Sequence, residues 1–137
     1  MLDYQVETAL IDLITPSLPA GTVVRHAMTP GGDDESVEGF IIKAVVEKVE
    51  PTRQPRYIFR ATFDYLSLIP ANDLTRLQAA LDALETALWS RPAHPPASLS
   101  AFEVFVVEQN AFDRTDHRIT GERRENRREV MVTCIPV

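Results

Sequence analysis

Two parts of the chain carry hydrophobic residues at the three- and four-residue steps of an amphipathic helix. The first runs from Leu2 to about Ile14, and its apolar face consists of Val6, Ala9, Leu10, Leu13 and Ile14. Pro16 follows, and a proline inside a helix removes a backbone hydrogen bond and clashes with the preceding turn. The second runs to about Ser90, and its apolar face consists of Leu74, Leu77, Leu81, Leu84 and Leu88. The pattern predicts one helix in each part.

A hairpin is predicted between the two helices. The segment Gly39–Val49 fits a helical period as well as a strand, but five of its residues are β-branched, which favours the strand. After the turn PTRQP, the chain alternates, with one face formed by Tyr57, Phe59, Ala61, Phe63 and Tyr65. Two strands at this separation form a hairpin, and we expect the aromatic face to be buried against the second helix.

Three further strands complete the pattern. Thr22–His26 is short and β-branched, and Glu129–Ile135 is the last strand. Ala101–Glu108 is apolar on both faces, so we expect helices to cover one side and a subunit or loop to cover the other. Residues 109–128 between them are polar, which is typical of a long exposed loop or a projecting β-ribbon.

The order of the elements indicates the fold class. It is α-β-β-β-α-β-β, which predicts an α+β fold with a mainly antiparallel sheet and two helices packed on one face. A length of 137 residues is enough for one hydrophobic core. The proline-rich stretch Arg91–Ser98 is a stiff connector, since too little chain follows it to fold alone. We therefore predict a single domain, 1–137.

Charge and cysteine content limit the partners and the compartment. With 14 basic and 20 acidic residues, the net charge of -6 disfavours non-specific binding to nucleic acid or to an anionic membrane. Apolar runs are shorter than the roughly 18 residues that span a bilayer. The lone cysteine, Cys134, cannot form an internal disulfide. These features predict a soluble, cytoplasmic protein.

Candidate catalytic and metal-binding residues lack the spacing that such chemistry needs. The histidines His26, His94 and His117 form no HxxH or HExxH pair, and we expect them at the surface. Cys134 lies in an apolar strand and is interpreted as a buried structural thiol. Arginines that interleave with Asp113, Asp116 and His117 oppose a cation there. The sequence predicts neither an enzyme nor a cofactor or metal site.

The stretch Asp113–Glu129 contains six of the 14 basic residues, but interspersed acids leave it nearly neutral. A solvated ribbon, a subunit contact and a nucleic-acid surface are the three readings, in falling order. The possible subunit interface consists of Arg118, Arg123, Arg124, Arg127, Arg128, Glu122 and Glu125. The acidic segment 28–38 (MTPGGDDESVE) is predicted to be an exposed loop and is another possible partner surface.

In order of elements, length and acidity, the chain resembles the tail terminator proteins of long-tailed bacteriophages, with neck and minor tail proteins as close alternatives. The likeness runs through ETALIDLI, YIFRATFDYLSL, LTRLQAALDALETAL and REVMVTCIPV. It implies a ring-forming subunit that docks on the last layer of the tail tube, stops its growth and joins the tail to the head. The implied partners are other copies of the chain, the tail tube and head-connector proteins, and the virion tail is the implied location.

A second hypothesis is a small ligand-binding or enzyme-accessory domain of the bacterial cytoplasm. An apolar pocket with convergent polar groups would favour it. Portal, tape-measure and tube genes beside this gene would favour the tail hypothesis, and a metabolic operon the ligand-binding one.

Overall fold

A computed structural model describes residues 2–27, 38–68, 75–89, 95–108, 115–120 and 123–137, with the backbone alone at 68, 76, 115–120 and 123–125. In these ranges the chain forms two α-helices, α1 (Leu2–Ile14) and α2 (Thr75–Trp89), and six strands. The strands are β1 (Val24–His26), β2 (Gly39–Glu50), β3 (Arg56–Leu68), β4 (Phe102–Glu108), β5 (Thr115–Thr120) and β6 (Arg123–Pro136). The predicted α+β class is confirmed.

The six strands form one sheet in the order β1-β2-β3-β6-β4. β1 is parallel to β2, and all other neighbouring strands are antiparallel. β5 pairs with the first half of β6, and β4 pairs with the second half of β6. The hairpin that the alternating pattern predicts is present as β2 and β3, with Phe40 opposite Tyr65 and Ala44 opposite Ala61. A bulge in β2 between Val46 and Lys48 shifts this register by one residue.

Both helices pack on one face of the sheet, as predicted. On β3, alternation turns the predicted aromatic face toward the helices, and Phe59, Phe63 and Tyr65 are buried. They share one core with Leu10 of α1 and Leu84 of α2, both fully buried. The other face of the sheet carries the mixed polar and apolar residues of each strand. Residues that recur every two positions in the strands and every 3.6 positions in the helices are therefore buried in the same core.

Gly39 is required where β1 meets β2. Its φ of 144° lies in the region that favours glycine, and a Cβ there would collide with the backbone carbonyl of Val23. That same carbonyl accepts a hydrogen bond from the N–H of Phe40, 2.9 Å away. The absence of a side chain thus lets β2 start close beside β1.

The region between β4 and the last strand differs from the loop interpretation. β6 begins at Arg123, six residues before the predicted start at Glu129, and it pairs with β5 through Arg118 opposite Glu125. The ribbon alternative therefore holds for residues 115–120 and 123–128. Polar residues form strands here because β6 also pairs with β3, and the ladder satisfies its backbone groups on both sides. Residues 28–37, 91–94 and Glu122 lie outside the described ranges, so the acidic loop stays a prediction there.

Candidate functional site

Among the predicted interface residues, Arg127 has the best defined contact. Its Nε donates to Oδ1 of Asp64 at 2.7 Å, and Nη2 donates to Oδ2 at 3.2 Å. The two residues are directly opposite each other on β6 and β3. The arginine side chain is 41% exposed, so this two-pronged ion pair lies at the surface of the sheet face that the helices leave open.

Arg128 lies on the other face. It is directly opposite Phe63, a buried core residue, and it is itself partly buried. Neighbouring residues on a strand point to opposite sides, so Arg127 and Arg128 belong to different surfaces. The backbones of Arg118, Arg123, Arg124 and Glu125 lie in the β5–β6 ladder. The described side chains of the arginine-rich stretch thus do not share one surface.

Exposed apolar side chains mark a different location. Five of the eight large hydrophobic residues that are exposed within the described ranges belong to two strands: Val45, Val46 and Val49 of β2, and Val104 and Val106 of β4. These strands lie toward opposite edges of the sheet. Clustered exposed apolar residues indicate interaction sites more strongly than scattered ones do.

The apolar pattern of β4 agrees with half of the sequence prediction. Phe105 and Val107 pack against the core, whereas Val104 and Val106 are exposed by 37% and 46%. The exposed valines of β2 were not predicted. The signal was present in the sequence, because Val45 and Val46 are adjacent and a strand can turn only one of two neighbours toward a core.

Beside the β2 valines lies a groove of about 380 Å³. Its lining is mostly apolar and includes Leu2 of α1 together with Val46, Val49, Tyr57 and Phe59. Among the described residues, β1 pairs with β2 no further than Ile42. Within the described ranges, β2 is therefore an edge strand from Val45 to Glu50, and it presents backbone N–H and C=O groups beside an apolar groove.

A cluster of polar side chains lies beside the end of β1. Glu7 on α1 is fully buried, and its Oε2 accepts a hydrogen bond from the N–H of Ala44 at 3.3 Å. Its Oε1 lies 3.3 Å from Nδ1 of His26, whose Nε2 lies 3.4 Å from Oγ1 of Thr8. The ring of Tyr4 stacks on His26 with centroids 4.3 Å apart. The carboxylate thus replaces β1 as the partner of the Ala44 amide.

The environment of Glu7 changes its acidity. Burial raises the pKa of its carboxyl above the ordinary 4.5, because removal from water disfavours the charged form. The Ala44 N–H and His26 oppose this rise by stabilising the carboxylate. The expected surface position is wrong for His26, whose side chain is 15% exposed, since β1 lies beside α1.

Other groups with possible chemistry are apart from one another. Cys134 is buried as predicted, and burial raises the pKa of its thiol to about 11, which keeps it protonated at neutral pH. Within the described ranges, no group of three or more His, Cys, Asp or Glu side chains is arranged to hold a metal ion. The same ranges contain no helix with the length and apolar character needed to cross a bilayer.

Comparison of the sequence with protein-family models and with curated proteins finds no match.

Proposed function

We propose that the protein is a structural subunit of a phage or prophage virion, of the tail-terminator type, that forms a homo-oligomeric ring on the end of the tail tube. In this role it stops tube growth and offers a surface to the head connector. The function is assembly and involves no catalysis, cofactor or specific binding of nucleic acid.

The observation that supports this proposal best is the placement of exposed valines near both edges of one sheet. Val45 and Val46 lie on β2, and Val104 and Val106 lie on β4. A subunit in a closed ring needs two different surfaces, one for each neighbour, because its contacts are head-to-tail. Two separate apolar strips on one chain meet this requirement.

Purified tail tubes that lack their terminal ring test the proposal directly. Electron microscopy should show rings at tube ends after the protein is added, and light scattering should show a mass above that of the monomer. The Val106→Lys variant should lose ring formation, because a lysine on an edge strand opposes pairing. Val23→Lys is the matched control, since Val23 is 40% exposed but lies outside both strips. A strict monomer that never binds a tube, at high concentration and low salt, would contradict the proposal.

A second candidate function is binding of a small apolar ligand, and the groove beside β2 favours it. Its mostly apolar lining also includes Asp3 and Lys43, which could orient a polar end of a ligand. Titration with a fluorescent apolar probe, such as an anilinonaphthalene sulfonate, would measure this binding. Saturable binding by the wild type and loss in Val46→Lys, with no ring on any tube, would favour this candidate over assembly.

A further inference from the structure

On β2 and on β4, some backbone N–H and C=O groups point to the outer edge of the sheet. The N–H of Ala44 is turned from β3 to Glu7, so Ala44 and Val46, two residues later, direct their backbone groups toward the open side of β2. At the opposite side, Val137 donates to the carbonyl of Ala101 at 3.0 Å. By alternation, Met131, Thr133 and Ile135 bond toward β4.

Those three residues of β6 are directly opposite Glu108, Val106 and Val104, respectively. The residues between them on β4, Phe105 and Val107, therefore direct their backbone groups to the outer edge of the sheet. In the part of the chain that the structure describes, β4 has β6 as its only strand neighbour. Each side of the sheet thus offers a short ladder of donors and acceptors.

The strand directions allow these two edges to meet between copies. β2 and β6 run one way, and β3 and β4 run the other way. If a second copy continues the same sheet with its helices on the same face, its β4 lies beside β2 of the first copy and runs antiparallel to it. The contact uses a different edge on each copy, so repetition produces a closed ring or an open chain.

Side chains on the two edges are complementary. Glu47 of β2 pairs with Arg60 of β3 at 2.8 Å, and Glu50 pairs with Arg56 of β3 at 3.9 Å and with Lys48 of its own strand at 3.8 Å. Lys43 is therefore the added positive charge on this strand. β4 carries Glu103 and Glu108 and has no basic residue. The apolar residues correspond as well, since each edge has valines on both faces of the sheet.

We infer that copies of this chain join head-to-tail by antiparallel pairing of β4 of one copy with residues Val45–Glu50 of β2 in the next. Val46 is then opposite Val107, and Glu108 is opposite Val45 with Lys43 diagonally across on the same face. Val107 and Phe105 of the neighbour cover the groove beside β2. The inference rests on the proposed ring and names the surface that builds it.

Engineered disulfides test the register. Val45 and Glu108 are both exposed, so cysteines should be tolerated at both positions. Directly opposite residues on antiparallel strands have Cα atoms about 4.5–5.5 Å apart, within the range of a disulfide. Under a mild thiol oxidant, the Val45→Cys/Glu108→Cys double variant should form a ladder of covalent oligomers on a non-reducing gel. An equimolar mixture of the two single variants should stop at a covalent dimer.

Two controls fix the interpretation. The Val46→Cys/Glu108→Cys variant places the two thiols on opposite faces and should form no ladder, and the wild type should form none because Cys134 is buried. Self-linking of Glu108→Cys alone would indicate β4 pairing with β4 and would overturn the inference. Tube-end rings without a ladder in the double variant would overturn the edge pairing but leave the proposed function. A ladder without any tube binding would support the pairing and count against the tail function.

Discussion

At the scale of single residues, Glu7 combines a structural contact with an electrostatic cost. Its carboxylate satisfies the Ala44 amide that β1 is too short to reach, yet the group is fully buried. Burial raises its pKa, so the carboxyl binds protons more tightly in the folded than in the unfolded chain. The stability that Glu7 contributes is therefore complete below its ordinary pKa and is lost as the pH rises through the raised folded value.

The Glu7→Gln variant should show this pH dependence. Glutamine can accept the same hydrogen bond from Ala44 but does not ionise. The free energy of unfolding of the variant, relative to the wild type, should increase as the pH rises from about 4.5 through the raised pKa, and it should be constant at higher pH. Urea unfolding at a series of pH values measures it. A difference that is independent of pH throughout this range would contradict the buried, protonatable carboxyl.

A second residue-scale prediction concerns the pair of Asp64 and Arg127. Because the arginine is 41% exposed, the coupling free energy in a double-mutant cycle of Asp64→Asn and Arg127→Ala should be about 1 kcal/mol or less. Urea unfolding of the four proteins gives this value. A coupling of several kcal/mol would show that the pair stabilises the monomer substantially and would contradict the small contribution expected of an exposed ion pair.

At the scale of elements, the leucines of α2 pack this helix against the hydrophobic core. Leu84 is fully buried between this helix and the sheet, so Leu84→Ala should lower the free energy of unfolding by about 2–5 kcal/mol through lost burial and a residual cavity. Glu85→Ala on the exposed side of the same helix is the control and should change stability by roughly 0.5 kcal/mol or less. Equal melting temperatures for Leu84→Ala and the wild type would contradict the placement of the helix.

The elements that the sequence predicts well are those whose pattern follows burial. The α1 boundaries, the β2–β3 hairpin and the α2 leucines all reflect one apolar face against one core. The β5–β6 ladder lacks that signal. Polar residues can form this ladder because backbone hydrogen bonds hold it together, and these bonds carry no side-chain pattern. Sequence reasoning could therefore offer a ribbon there only as one of two alternatives.

The candidate site was less predictable than the fold because it depends on which strands become neighbours. Among the described residues, β2 has an open backbone edge beyond Ile42 because β1 pairs no further, and no local pattern encodes where a partner strand stops. The contact of Glu7 with Ala44 joins residues 37 positions apart in the chain. By contrast, the two-sided apolar pattern of β4 did indicate that only one of its faces packs on the core, since Val104 and Val106 on the other face are exposed.

At the scale of the whole molecule, the two edges of the sheet should attract each other partly through charge. In the inferred pairing, Glu108 of one copy lies diagonally across from Lys43 of the next. Such diagonal neighbours on a sheet are roughly 7–8 Å apart between backbones, within reach of long side chains. Because the pair is exposed, added salt should weaken association, and the Debye length falls from about 10 Å at 0.1 M to about 3 Å at 1 M.

Charge reversal distinguishes this specific pair from a general charge effect. Lys43→Glu and Glu108→Lys should each weaken self-association by about two- to five-fold, the size expected for one exposed ion pair. The double reversal should restore association, because it exchanges the charges and keeps the attraction. Arg53→Glu, in the exposed turn between β2 and β3, has the same effect on net charge as Lys43→Glu and should leave association unchanged. Sedimentation of all five proteins at equal concentration measures the oligomer fraction. The double variant could instead lose as much self-association as the two single variants lose together. In that case Lys43 and Glu108 are not in contact, and the register that places Val46 opposite Val107 is wrong.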